Sequence, residues 1–159
     1  MKLVDVTIAG EATPDDAERL AALISAAYRV EDFFKVGDRI DAAGVRDKMR
    51  HGRFLILRDA DAFAGCVYVQ ITGTVGYFGL LSIDPGRQKQ GLGSRLIELT
   101  ENACREAGCT EMELDVVNLR TELPPFYRKF GYAEHGTRAF PDSERTTRVC
   151  HCMVMRKAL

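Results

Sequence analysis

Residues Leu81 to Leu96 read LSIDPGRQKQGLGSRL, and this stretch constrains the chain more than any other. A run suited to a strand ends at Ile83, Asp84-Pro85-Gly86 turns the backbone, and Gly91 and Gly93 open a long helical pattern. A strand, a glycine-rich turn and a helix start together make a seat for phosphate. The first N–H groups of a helix have no partner within it, and the macrodipole adds partial positive charge at that end. Glycines let the backbone approach an anion with no side chain in the way.

Two familiar phosphate motifs fail here. Gly86 to Gly91 has the glycine spacing of a P-loop, but Leu92 and Gly93 stand where the phosphate-binding lysine and the Mg²⁺-binding hydroxyl belong. A dinucleotide fingerprint needs glycine or alanine at position 96, which is Leu96.

The flanking pattern reads as strands and helices in a fixed order. Leu3 to Ala9 alternates like a strand, and Thr13-Pro14-Asp15-Asp16 starts a helix that should end near Tyr28. A short helix is expected over Asp41 to Arg50. Three consecutive strands follow, Phe54–Leu57, Ala62–Ile71 and Val75–Ile83, with Thr72-Gly73-Thr74 as a hairpin turn. The helix after Gly91 carries Leu92, Leu96, Leu99, Ala103 and Ala107 on one face and stops at Gly108. Glu111 to Asn118 alternates strictly, with Met112, Leu114 and Val116 on one side and Glu111, Glu113 and Asp115 on the other. A short helix over Thr121–Phe130 and strands over Gly131–Phe140 and Arg148–Arg156 complete the order. Meandering strands around one strand–helix–strand unit imply a mixed sheet in an α/β or α+β fold.

The chain has 159 residues and no linker, so the expectation is a single domain over residues 1–159. A net charge of −1 argues against a dedicated nucleic-acid binder. No apolar run approaches the roughly 20 residues that span a bilayer, and Asp5 interrupts the N-terminal apolar run. Five cysteines at irregular spacing do not form a disulfide framework. The expectation is a reduced, cytoplasmic protein. Cys150-His151-Cys152 has no second ligand pair at zinc spacing, so no metal is expected.

The hexapeptide Gln88-Lys89-Gln90-Gly91-Leu92-Gly93 is similar to the pyrophosphate-binding motif of the GNAT superfamily, acyl-CoA-dependent N-acetyltransferases. The preceding Leu81-Ser82-Ile83-Asp84-Pro85 and the later Phe126-Tyr127-Arg128-Lys129-Phe130-Gly131-Tyr132 also resemble family segments, and the element order matches over nearly the whole chain. The resemblance implies a mixed, largely antiparallel sheet, split between its fourth and fifth strands and flanked by about four helices. It implies acetyl-CoA as cosubstrate, with no metal. Backbone amides from Gln88 to Ser94 would hold the pyrophosphate, with Arg87 and Lys89 adding positive charge. Leu81, Ser82 and Ile83 would pair with the pantetheine arm as though it were another strand. Asn118 would bond that arm too, although Tyr127 follows it by nine positions, a longer spacing than in many relatives.

By the same resemblance Tyr127 is the general acid. A phenol of pKa near 10 can protonate a thiolate of comparable basicity. No base is assigned: Glu113 and Asp115 lie near the expected site, but a salt-bridged row of acids is the simpler reading. Acceptor specificity would come from Tyr28–Ile40 and from Phe140–Thr147. The first offers Glu31, Asp32, Phe33, Phe34 and Asp38, either a cationic-amine pocket or a surface charge run over core phenylalanines. Cys104 is expected to pack in the core, and His51 and His135 to sit in turns. The expected reaction moves an acetyl group to a primary amine, carried by a small molecule, in a ternary complex. The alternatives are a protein-amine acetyltransferase and a non-catalytic acyl-CoA-binding module. Oligomeric state is open, a homodimer through the last strands being one arrangement.

Overall fold

A computed structural model describes residues 7–141 and 143–159. Among them are seven strands in one sheet and four α-helices. The first strand, β1, is Ile8–Glu11; residues 3–6 of the expected strand lie outside the described ones. A 3-10 turn at Pro14–Asp16 leads into α1, Ala17–Ala27, and Asp16 accepts the Thr13 N–H at 2.9 Å. The second helix, α2, is Ala42–Met49, capped by Asp41 Oδ1, which accepts from Gly44 N at 2.7 Å. The strands β2 (Arg53–Asp59), β3 (Ala62–Thr72) and β4 (Val75–Ile83) form an antiparallel meander.

Helix α3, Leu92–Glu106, follows the glycine turn. It ends in a Schellman motif: Gly108 N donates to Arg105 O and Cys109 N to Cys104 O, with Gly108 at φ +93°. Its buried stripe is Leu92, Leu96, Ile97, Thr100, Glu101 and Cys104, rotated from the expected leucine–alanine face, so that Ala107 is exposed. Polar groups enter that stripe because each has a partner: Thr100 Oγ1 donates to Leu96 O, and Glu101 accepts from Lys157 Nζ and the Tyr132 hydroxyl.

The chain then forms β5 (Glu111–Val117), α4 (Leu123–Arg128), β6 (Ala133–Ala139) and β7 (His151–Ala158). Helix α4 starts two residues later than expected, since residues 119–122 form turns. His135 lies on β6 and not in a turn.

The sheet order is β1-β2-β3-β4-β5-β7-β6, antiparallel except between β4 and β5. Two helices lie on each face of the sheet. On one face α1 and α2 bury Ala17, Leu20, Ile24 and Val45 against Phe54, Ile56 and Tyr68. On the other, α3 and α4 bury Leu96, Ile97 and Tyr127 against Val67, Phe78 and Met112. A third, small cluster of Phe34, Val117, Phe140 and Cys152 lies beyond the β4–β5 junction.

Candidate active site

The β4–β5 junction builds the site. Its parallel ladder runs only over Val75–Tyr77 against Glu111–Glu113, and past these pairs the two strands diverge. The cause lies in β4 itself. Cys66 pairs with Ser82 and Tyr68 with Gly79, so Leu80 and Leu81 together oppose the single residue Val67. This is a β-bulge, with Leu80 in the left-handed region at φ +53°. A bulge bends its strand and sharpens the local twist, which carries β4 away from β5. An L-residue in that conformation costs about 1–2 kcal/mol. Ser82 helps hold it, its buried Oγ donating to Leu80 O at 2.8 Å. A cavity of about 660 Å³ occupies the gap.

The glycine turn lies at the end of the same strand. Gly91 takes φ +78° as the N-cap of α3, and Lys89 is also left-handed at φ +67°. Gln88, Lys89, Gln90 and Ser94 are exposed, while Leu92 is buried, so that Leu92 offers an anion only its backbone. A Cβ at Gly93 would meet no atom within 4 Å. Arg87 is turned away, pairing with Asp59 at 2.5 Å.

Tyr127 forms part of the cavity wall and is 7% exposed. Its ring packs edge-on against Phe126, Phe78 and Tyr132. Burial, with a smaller push from Tyr28, raises its phenol well above the ordinary range, and Arg120 opposes the shift. Tyr28 and Tyr77 share the cavity; burial pushes the Tyr28 phenol up to about 12. All three phenols are therefore neutral at any working pH.

Asp115 faces the cavity and Glu113 does not. Arg138 reaches from β6 across β7 to both, at 3.0 Å from each Asp115 oxygen and 2.8 Å from Glu113. Arg156 adds a second cation to Glu113 at 2.8 Å. The two carboxyls separate accordingly. Burial pushes Glu113 up, but hydrogen bonds from Arg138 and Arg156 outweigh it and hold its carboxyl below the usual range. Burial dominates at Asp115, whose carboxyl is raised despite Arg138.

The two segments expected to choose the acceptor are zipped together. Lys35 and Thr146 form an antiparallel bridge, Val36 N donates to Arg145 O, and Thr147 N donates to Phe34 O. Arg145 Nη2 then donates to Val36 O at 3.0 Å and to Asp38 O at 2.7 Å. Gly37, at φ +83°, permits this clamp: a Cβ there would lie 2.6 Å from Nη2. Replacing Gly37 with alanine strains the loop and pushes the guanidinium off its carbonyls. The expected result is a rise of about tenfold in KM for the amine, equivalent to ~1.4 kcal/mol, with KM for acetyl-CoA unchanged. Steady-state kinetics in both substrates checks it.

All three acids of the first segment are paired: Asp32 and Asp38 with Arg29, and Glu31 with Arg120. Phe34 is core and Phe33 is largely exposed. Neither reading of that segment holds whole: Glu31 is buried and not on the surface, Phe33 is not core, and Glu31 and Asp38 border the cavity with their charges already paired.

The family model for the acetyltransferase (GNAT) family matches residues 18–132. The chain belongs to the GNAT family. No curated protein matches it in sequence. Among solved structures, Ard1 from Thermoplasma volcanium aligns at a TM-score of 0.80 and 18% identity, over 97% of this chain and 98% of that one. The ribosomal-protein-S18-alanine N-acetyltransferase from Escherichia coli aligns at 0.71 and 17%, over 96% and 93%. The IAA acetyltransferase from Bacillus cereus aligns at 0.73 and 10%, over 96% and 99%. At these identities the likeness is one of fold. This GNAT domain is an acyltransferase, and its family generally uses acetyl-CoA.

Within the GNAT frame, Leu81 and Tyr127 reach one cavity, and the Gln88–Ser94 turn continues from the strand that carries Leu81. Asn118 lies just past β5. Its N–H donates to His151 O at 2.9 Å and its Oδ1 accepts from His151 N at 2.8 Å, so it stitches β5 to β7. Among the described residues no group of three or more His, Cys, Asp or Glu is placed to hold a metal ion. All five cysteines are thiols; Cys104 is in the core, and Cys152 packs with Phe34 and Phe140. Sequence reasoning missed the Arg138 bridge, the Arg145 clamp and the Arg120–Glu31 pair. Each joins residues distant in sequence, so no local spacing signals it.

Proposed function

We propose that this enzyme transfers the acetyl group of acetyl-CoA to the primary amine of a small molecule by direct attack in a ternary complex. The observation that carries the reading is the β4–β5 gap, which sets Leu81, Asp115 and Tyr127 around one cavity, on the strand that leads into the glycine turn. Acetyl-CoA would supply the acyl group as a thioester and leave as a thiolate. The chain has groups suited to hold it: free helix N–H groups at Gly91–Ser94, open space over Gly93, and a β4 edge that has no β5 ladder partner past Tyr77 among the described residues. Main-chain N–H groups around Leu81–Ile83 would meet the charge building on the carbonyl oxygen. Tyr127, neutral and within the wall, would protonate the departing sulfur.

An amine arrives as an ammonium, which the rings of Tyr28 and Tyr77 attract. Asp115 takes its proton. Glu113, held by two arginines, is the poorer acceptor. Asp115→Asn is expected to lower kcat at neutral pH by about 10- to 100-fold. Activity should recover as pH rises, since an amine already neutral needs no base. A pH–rate profile checks this, and an unchanged rate at pH 7 would remove Asp115 from the mechanism.

The cavity volume lies in the range of small-ligand sites, roughly 300–1,000 Å³, and the zipped flap limits its mouth. Structural neighbours named for a ribosomal protein and for IAA leave the acceptor class to experiment. Five thiols support a reducing, cytoplasmic setting. The test pairs calorimetric titration of CoA with a thiol-release assay over small amines and peptide N-termini. CoA binding with turnover on small amines is the expected result. Turnover on peptides alone would overturn the acceptor class, and binding with no turnover would make the chain a binding module.

A further inference from the structure

Two arginines, Arg39 and Arg145, form part of the cavity wall on the side of the zipped flap. They are neighbours through Asp38: Arg145 Nη2 donates to Asp38 O at 2.7 Å, and Arg39 is the next residue in the chain. Nη2 makes both bonds of the clamp, and both acceptors are neutral carbonyls. The clamp therefore fixes the guanidinium without cancelling its charge. Among the described residues, Nε and Nη1 of Arg145 have no partner. The guanidinium carbon of Arg39 lies 5.2 Å from the centre of the Tyr28 ring. Burial raises the Tyr28 and Tyr77 phenols and the Cys152 thiol, and the charge of Arg39 opposes that rise in each. Those groups stand on the Tyr28 turn, β4 and β7, so the guanidinium is turned toward the space they enclose. The carboxylates of the wall are answered from behind it. Glu31 pairs with Arg120, Asp38 with Arg29 and Asp115 with Arg138, and none of those arginines belongs to the wall. Asp47 has Arg50 at 3.8 Å, and Asp41 caps α2.

These arginines repel a bare ammonium, but not an amine that carries its own anion. The pantetheine arm and thioester of acetyl-CoA are uncharged, so they give the cations no partner. We propose that Arg145 and Arg39 bind a carboxylate of the acceptor, which is an amino acid in the broad sense: a primary amine and a carboxylate on one small molecule. The inference rests on this cavity being the acceptor site. Hydrogen bonds from a guanidinium to a carboxylate are among the stronger polar contacts, and the planar cation sets the orientation of the planar anion. With the carboxylate held at the flap, the amine at the other end of the molecule has few positions left, which favours attack in one geometry. Glu31 and Asp38 border the same space and disfavour the nearly double charge of a phosphate. Arg145 thus closes the flap through Nη2 and offers its remaining donors to the acceptor.

The test compares amino acids with their primary carboxamides in the thiol-release assay, over glycine, β-alanine, 4-aminobutyrate and the L-amino acids. Arg39→Gln and Arg145→Gln are each expected to raise KM for the best amino acid about tenfold more than KM for its carboxamide. Arg145→Gln also loosens the flap, a loss that falls on acid and amide alike. Comparing wild type with variant for each substrate cancels the effect of amidation on the basicity of the amine. Equal losses for acid and amide in both variants, or turnover confined to amines without an anion, would overturn the proposal and leave acetyl transfer standing. Faster turnover of 2-aminoethyl phosphate than of any amino acid would overturn the carboxylate. CoA binding with no amine acetylated would remove the proposed reaction, and titration of N-acetyl amino acids into the CoA complex then reads the arginines directly. Tighter binding of those acids than of their amides is the expected result there, and equal binding would overturn the carboxylate site as well.

Discussion

Tyr127→Phe is expected to lower kcat about 100-fold or more while CoA affinity stays within about twofold of wild type. The substitution isolates one atom. The ring of Tyr127 is held edge-on by Phe126, Phe78 and Tyr132, and phenylalanine keeps those contacts. The backbone is unaffected, so Tyr127 O still accepts from Phe130 N and Tyr132 N. Only the proton donor is lost. Because burial keeps that phenol neutral, the wild-type profile should show no limb from Tyr127 below pH 10, and the deficit of the variant should be constant across that range. Thiol release over pH 6–10, with calorimetry for CoA, measures both. Full activity of the variant throughout would end the assignment.

Gly93→Leu is expected to weaken CoA binding about 100-fold or more and to leave the fold as stable as before, or more so by about 0.5 kcal/mol. Gly93 lies in the first turn of α3, and no atom lies within 4 Å of the position a Cβ would take. Nothing in the protein itself requires glycine here, and glycine inside a helix costs stability. The proposed pyrophosphate seat supplies a reason for it. Gly91 makes the useful contrast: its φ of +78° requires glycine for the turn itself, so Gly91→Leu should lose stability as well as binding. Melting curves without and with CoA separate the two. A Gly93→Leu variant that binds CoA normally would show that the pyrophosphate lies elsewhere.

The sequence exposed those features whose causes are local. Pro14 and two acids mark the start of the first helix, Gly108 ends the third, and the alternation of Glu111–Val117 follows from one strand face meeting the core. The glycine turn was readable for the same reason, Gly91 taking the positive φ that opens α3. The apolar face of α3 was misplaced because Thr100 and Glu101 are buried with partners from Leu96, Tyr132 and Lys157, and two of those partners come from the far end of the chain. The bulge at Leu80 had no glycine to announce it, since leucine itself takes the positive φ. Asn118 also joins β5 to β7 through His151 N, a contact that no local spacing signals. The arginines that set the electrostatics, Arg120, Arg138 and Arg145, stand in stretches whose local pattern reads only as turn, edge strand and polar loop.

The extra residue in β4 also sets the facing of everything after it. Phe78 packs with the α3–α4 side, but Leu80, two residues on, packs with the α1–α2 side, so the strand exchanges its two faces at this point. A chain shortened by one residue there would have an unbroken ladder and less reason for β4 to leave β5. Sheet regularity and acetyl transfer are opposed at this position. Selection for thermal stability alone would favour closing the very fault on which the chemistry depends.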